Sequence, residues 1–144
     1  MEEYNTHNQV MHLKIGQKAS LTKKFTKEEV LSFSRLTFDT NPIHLNCEYA
    51  STTRFNKPIV QGPMVVSLIG GILGSYLPGP GSIYIHQETS FLKPLFIDEV
   101  ATAWVEVVHI REDKPVVTLK NWIEKENGEI VLKGTSIILV LQER

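Results

Sequence analysis

The chain has 144 residues, 42% hydrophobic and 22% charged, the balance of one ordinary globular domain rather than a disordered or membrane-embedded polypeptide. Lysine plus arginine (15) nearly cancels aspartate plus glutamate (16), so no overall field gathers nucleic acid or an anionic membrane, and any anionic ligand must be held locally. The one cysteine, Cys47, excludes an internal disulfide, has no neighbours at metal-ligand spacing and reads as structurally incidental.

Taken in chain order, residues 1–12 read as a leader outside the fold and 13–144 as a single domain. Met1-Glu2-Glu3 carries acids and no arginine, the wrong chemistry for a mitochondrial transit peptide. His12-Leu13-Lys14-Ile15 is the first strand-like piece. Thr26 then opens a helix, with Glu29 placed to complete a capping box, and Val30, Leu31, Phe33, Ser34 and Leu36 form its apolar face. A second, short helix starts at Asn46 as N-cap, with Glu48 near its positive end and Ala50 turned inward. Asparagine and proline mark Phe38 to His44, between these helices, as a loop.

Gly62 to Leu77 is apolar around its whole circumference, with Pro63 at the start of a helix and Pro78-Gly79-Pro80-Gly81 as its stop. Such a helix should be buried on nearly every side, and at roughly 15 residues it falls short of the ~20 that cross a bilayer. Its glycines let a neighbouring backbone or ligand come close. Strands follow over Ser82–Phe96, Val100–Ile110, Pro115–Lys125 and Glu129–Gln142, with Glu126-Asn127-Gly128 as a tight-hairpin signal. Antiparallel strands in succession predict a meander. A meander wrapped around one apolar helix is an α+β hot-dog fold.

Two features carry chemistry. Asp39 and His44 are up to about 17 Å apart in an extended chain, but Asn41-Pro42 favours a turn that brings carboxylate and imidazole together. A carboxylate that accepts a proton and an imidazole that donates one suffice to add or remove water across a carbon–carbon double bond, with Asn41 placed to orient the water or either partner. Gly62 begins the apolar helix, where free N–H groups and the helix dipole stabilise developing negative charge. The same residues also fit purely local roles, Asp39 and Asn41 in Asx-turns and Gly62 as an N-cap, and spacing alone does not choose between these readings.

Phe38-Asp39-Thr40-Asn41-Pro42-Ile43-His44, followed by Tyr49-Ala50, resembles the hydratase-2 motif of the MaoC-like family, which includes (R)-specific enoyl-CoA hydratases and the mitochondrial type 2 3-hydroxyacyl-thioester dehydratase. The likeness continues through Lys57-Pro58-Ile59-Val60-Gln61-Gly62, Leu77-Pro78-Gly79-Pro80-Gly81-Ser82-Ile83-Tyr84 and Arg111-Glu112-Asp113-Lys114-Pro115, and spans residues 13–142. It implies a hot-dog homodimer that reversibly dehydrates (R)-3-hydroxyacyl thioesters of coenzyme A or acyl-carrier protein, without a metal or cofactor. By the same resemblance, Asp39 and His44 flank the catalytic water with Asn41 assisting, the Gly62 N–H holds the thioester oxygen, and the compartment is the mitochondrial matrix or otherwise the cytoplasm.

Three departures stand out. Phe38 occupies a place often held by glycine or a small or polar residue and narrows the approach to Asp39, Gln61 replaces a histidine, and Pro63 removes a donor from the helix end. Gly70 stands near where bacterial relatives can carry a serine, so no hydroxyl role is assigned there. His12, His86 and His109 lack ligand-spaced partners, His7 falls in the leader, and Trp104, Trp122 and Phe91 read as core or tunnel lining. The rival readings are an acyl-thioester hydrolase and a non-catalytic acyl-thioester binding module.

Overall fold

A computed structural model describes residues 12–141, so the leader expected over residues 1–12 lies outside the described residues except for its last one. The chain runs β1 (Lys18–Lys24), α1 (Lys27–Thr37), α2 (Pro42–Leu45), α3 (Cys47–Ser51), α4 (Gly62–Ser75), β2 (Ser82–Phe91), β3 (Val100–Ile110), β4 (Val116–Lys125) and β5 (Ile130–Val140). The five strands form one antiparallel sheet in the order β1-β3-β4-β5-β2. This is the expected α+β hot dog, with α4 lying in the hollow of the sheet.

The capping box forms as its sequence dictates. The Thr26 hydroxyl accepts the Glu29 N–H at 3.2 Å and the Glu29 carboxylate accepts the Thr26 N–H at 3.0 Å. Asn46 likewise caps α3 through the Tyr49 N–H. β3 and β4 turn Ala101, Ala103, Val105, Val107, Leu119 and Ile123 inward, all fully buried. Small side chains at 101 and 103 leave room for α4, whose Ile69 and Ile72 are also fully buried. Each such isoleucine contributes about 1.5–3 kcal/mol by leaving water.

The first strand is not His12–Ile15, which has no regular structure, but Lys18–Lys24. Gly16, at φ +90°, turns the chain so that Ala19 and Leu21 face the core from alternate positions, a signal weakened by the lysines, serine and threonine around them. The meander also needs correcting. Only β3, β4 and β5 follow it; β2 ends at Phe91 rather than Phe96 and pairs with β5. Pro94 has no N–H for a sheet ladder, and the segment after Phe91 departs from β2 and leads across to β3.

α4 is buried less completely than its sequence predicts. Pro63, Ser67, Gly71 and Gly74, at helical spacing, form a stripe left open in the single chain. Trp104 and Trp122 are not core or tunnel residues. They stack at 6.0 Å on the outer face of the sheet, where the Trp104 indole N–H donates to Glu124.

Candidate active site

The site is assembled by the ends of helices. α1 ends at Thr37, and Phe38, its C-cap, takes the left-handed conformation (φ 64°) with its side chain in solvent. Its effect is therefore on the backbone rather than on the approach to Asp39: a non-glycine in this region costs on the order of 1 kcal/mol, which explains why glycine suits the position. Asp39 follows at once, and its Oδ1 accepts the Asn41 N–H at 3.1 Å. The Asn41 side-chain oxygen in turn accepts the Ile43 N–H at 3.2 Å, and with Pro42 in the first turn it starts α2. The segment expected to be a loop thus ends in one helical turn, which carries His44.

His44 is 9% exposed. Its Nδ1 lies 2.8 Å from the Ile59 carbonyl, which can only accept, so Nδ1 carries the hydrogen. That leaves Nε2 facing Asp39 Oδ2 at 3.7 Å. The separation is too long for a direct hydrogen bond, so both atoms keep capacity for a third partner. Ile59 is itself fixed by an antiparallel bridge to Phe96 and by its N–H on Ile43.

Gly62 is the first residue of α4 and Pro63 the second, with Gln61 as N-cap making no side-chain cap. Because a first-turn N–H has no partner within the helix and the cap side chain points elsewhere, the Gly62 N–H finds no acceptor among the described residues. A Cβ on Gly62 would come within 3.0 Å of the Phe91 ring, so glycine also admits this aromatic wall. His44, Gly62 and Phe91 line one cavity of about 300 Å³, with Val65 in its wall and Arg54 and Lys93 at its rim. Asp39 and Asn41 are not among its lining residues, and the Asp39 carboxylate stands beside it, facing the free imidazole nitrogen, Nε2. A larger hollow, about 520 Å³, is a groove on the outer sheet around Trp122, away from this chemistry.

The structure brings Asp39 to His44 and His44 to Gly62, as the sequence predicts, whereas Asn41 spends its side-chain oxygen on capping α2. It adds one residue whose role the sequence did not disclose. Gln61 is fully buried, and its amide donates 2.9 Å hydrogen bonds to the Val30 carbonyl and the Ser34 hydroxyl of α1. Gln61 therefore ties the helix that ends just before Asp39 to the helix that begins at Gly62. Its neighbour two positions back, Ile59, holds His44. Arg54 and Lys93 also went unread, because nothing local distinguishes them from other surface cations.

The family model described as MaoC-like domain matches residues 10–127. The chain belongs to the MaoC-like family. An (R)-specific enoyl-CoA hydratase of Aeromonas caviae is 45% identical over 126 residues, covering 88% of this chain and 94% of that protein. A mitochondrial 3-hydroxyacyl-acyl-carrier-protein dehydratase of Solanum lycopersicum is 32% identical over 130 residues, 89% of this chain and 78% of its own. Among solved structures, an (R)-hydratase from A. caviae involved in PHA biosynthesis superposes with a TM-score of 0.88 at 44% identity, covering 90% of this chain and 98% of that one. The matched family region therefore takes in β1 to β4 and both site-bearing helix ends.

Proposed function

We propose that this MaoC-like protein uses Asp39 and His44 as the acid/base pair of an (R)-specific hydro-lyase. Its relatives make it an enzyme of reversible hydration and dehydration of hydroxyacyl thioesters. In the hydration direction Asp39 takes a proton from water as the oxygen attacks the β carbon, and His44, protonated on both nitrogens, gives the Nε2 proton to the α carbon. The carbonyl oxygen becomes enolate-like between these events, and the Gly62 N–H at the α4 terminus stabilises it. The observation that carries the reading is the placement of His44 and Gly62 in one cavity with the Asp39 carboxylate 3.7 Å from the free imidazole nitrogen, Nε2. A thioester hydrolase needs its water aimed at the carbonyl carbon, and the acid/base pair here suits proton transfer at the α carbon instead.

Loss of the enoyl absorbance of crotonyl-CoA, with (R)-3-hydroxybutyryl-CoA formed and no free thiol released, is the expected result. Asp39→Ala and His44→Ala should each lower turnover by about a hundredfold or more while the protein stays folded. Near-normal turnover in either variant would remove that residue from the mechanism. The working form is a homodimer, with the open β2 edge and the open stripe of α4 as the contact surface. A mitochondrial matrix location is supported by the plant mitochondrial relatives, and immunodetection of the native protein in fractionated cells tests it, with a purely cytosolic signal excluding it.

A further inference from the structure

A chain with no net field must hold an anionic substrate by a few placed cations, and the site cavity has two at its rim. Arg54 and Lys93 both line the cavity that contains His44 and Gly62, and both are exposed. Neither joins an ion pair among the described residues, where the other cations near carboxylates, such as Lys18, Lys120 and Lys125, do. Arg54 is steadied by the face of the Phe55 ring, 4.9 Å from its guanidinium carbon, and Lys93 follows β2 directly beyond the Phe91 wall. The two cations come from separate segments, the stretch after α3 and the end of β2, yet they converge on one opening. Unpaired cations with long side chains at the mouth of an apolar cavity suit a ligand whose reacting end is neutral and whose outer end is anionic.

We propose that Arg54 and Lys93 recognise the phosphate of a phosphopantetheine arm as it leaves the cavity, whether the arm ends in coenzyme A or on a carrier protein. The inference rests on the hydro-lyase reading, because only a thioester substrate brings such an arm to this rim. Both sources share the phosphate, and the two side chains extend outward to meet it while the thioester lies inside against Gly62. Recognition of this kind acts on binding and on its salt dependence, and leaves the proton transfers to Asp39 and His44.

The test compares three crotonyl thioesters, those of coenzyme A, of a phosphopantetheinylated carrier protein and of N-acetylcysteamine, which has the thioester end of the arm but no phosphate. In Arg54→Ala/Lys93→Ala the kcat/KM for crotonyl-CoA, taken relative to the N-acetylcysteamine thioester, should fall about tenfold at low ionic strength, through KM. Added salt should raise KM for crotonyl-CoA in the parent protein and do so less in the double variant. An equal fall with the carrier-protein substrate shows the phosphate read in both sources, and a fall with crotonyl-CoA alone would move recognition to the nucleotide phosphates and overturn the assignment to the phosphopantetheine phosphate. An unchanged KM for crotonyl-CoA, or equal losses with the phosphate-free thioester, would overturn the proposal. Absence of turnover of every thioester by the parent protein would instead sink the hydro-lyase reading itself.

Discussion

Each member of the Asp39–His44 pair is anchored on one side and open on the other. Asp39 Oδ1 accepts the Asn41 N–H, the His44 Nδ1–H donates to the Ile59 carbonyl, and the remaining atoms face each other. Asn41 stands between a capping role and a chemical one, and two substitutions separate these. Asn41→Asp keeps the oxygen that caps α2 and loses the side-chain N–H donors, whereas Asn41→Ala loses both. If capping is the larger role, Asn41→Ala should lower stability by about 1 kcal/mol in thermal melts and Asn41→Asp should not. A deep loss of crotonyl-CoA turnover in Asn41→Asp at undiminished stability would give the amide group a part in the reaction.

At the scale of elements, the site depends on how α1 and α4 are held together, and Gln61 is the side chain that spans them. The Val30 carbonyl can only accept, which fixes the amide orientation and leaves the Gln61 side-chain oxygen buried without a partner. Gln61→Leu removes that unsatisfied oxygen as well as two hydrogen bonds, so the stability change should be small. The helix ends it registers should nevertheless drift, lowering kcat by about tenfold with KM little changed. An unaltered kcat would show that packing alone aligns the two helices. At the other end of α1, the ion pair with Lys23, and after it the Thr26 N–H, hold the Glu29 carboxyl below its ordinary range. A depressed carboxylate contributes stability that is present at neutral pH and is lost as pH falls through the lowered value. Glu29→Gln keeps the cap and loses the ion pair. It should cost less than about 1 kcal/mol at neutral pH, and its melting temperature should fall less steeply on acidification.

What was legible in the sequence follows from how local each signal is. Thr26 with Glu29, Asn46, and the run from Gly62 to the Pro78-Gly79-Pro80-Gly81 stop act over a few residues, and those elements form where they were expected. β1 was misplaced because Ala19 and Leu21 are weak apolar markers whose meaning depends on pairing with β3, some eighty residues away. The Asp39–His44 pairing was readable from Asn41-Pro42, and the role of Gln61 was not, because its partners lie about thirty positions upstream. Among residues called apolar in α1, Leu36 faces solvent, while the serine at 34 is buried as the acceptor that Gln61 needs.

For the whole molecule, the open edge of the sheet sets the expected assembly. β2 pairs on one side only, and Ile83, Tyr84 and Ile85 along it are 46%, 46% and 56% exposed, next to the uncovered stripe of α4. An unpaired edge with apolar side chains is a template for another strand. Sedimentation should therefore give twice the 16.3 kDa chain mass, and Ile85→Lys should shift the particle towards a single chain. A monomer in the unsubstituted protein would exclude the dimer.

The place of β2 in the sheet also orders events in time. It leaves the ribosome well before β5, its one partner strand among the described residues and the last of the five in chain order. During synthesis β2 must wait through two further strands before its partner arrives, while β3 can pair with β4 and pack on α4 early. Phe91, the wall against Gly62, lies opposite Leu132 in that late pairing. A nascent chain can thus carry Asp39, His44 and Gly62 long before it has a closed cavity, and its interval of greatest exposure to aggregation falls between the emergence of β2 and the arrival of β5.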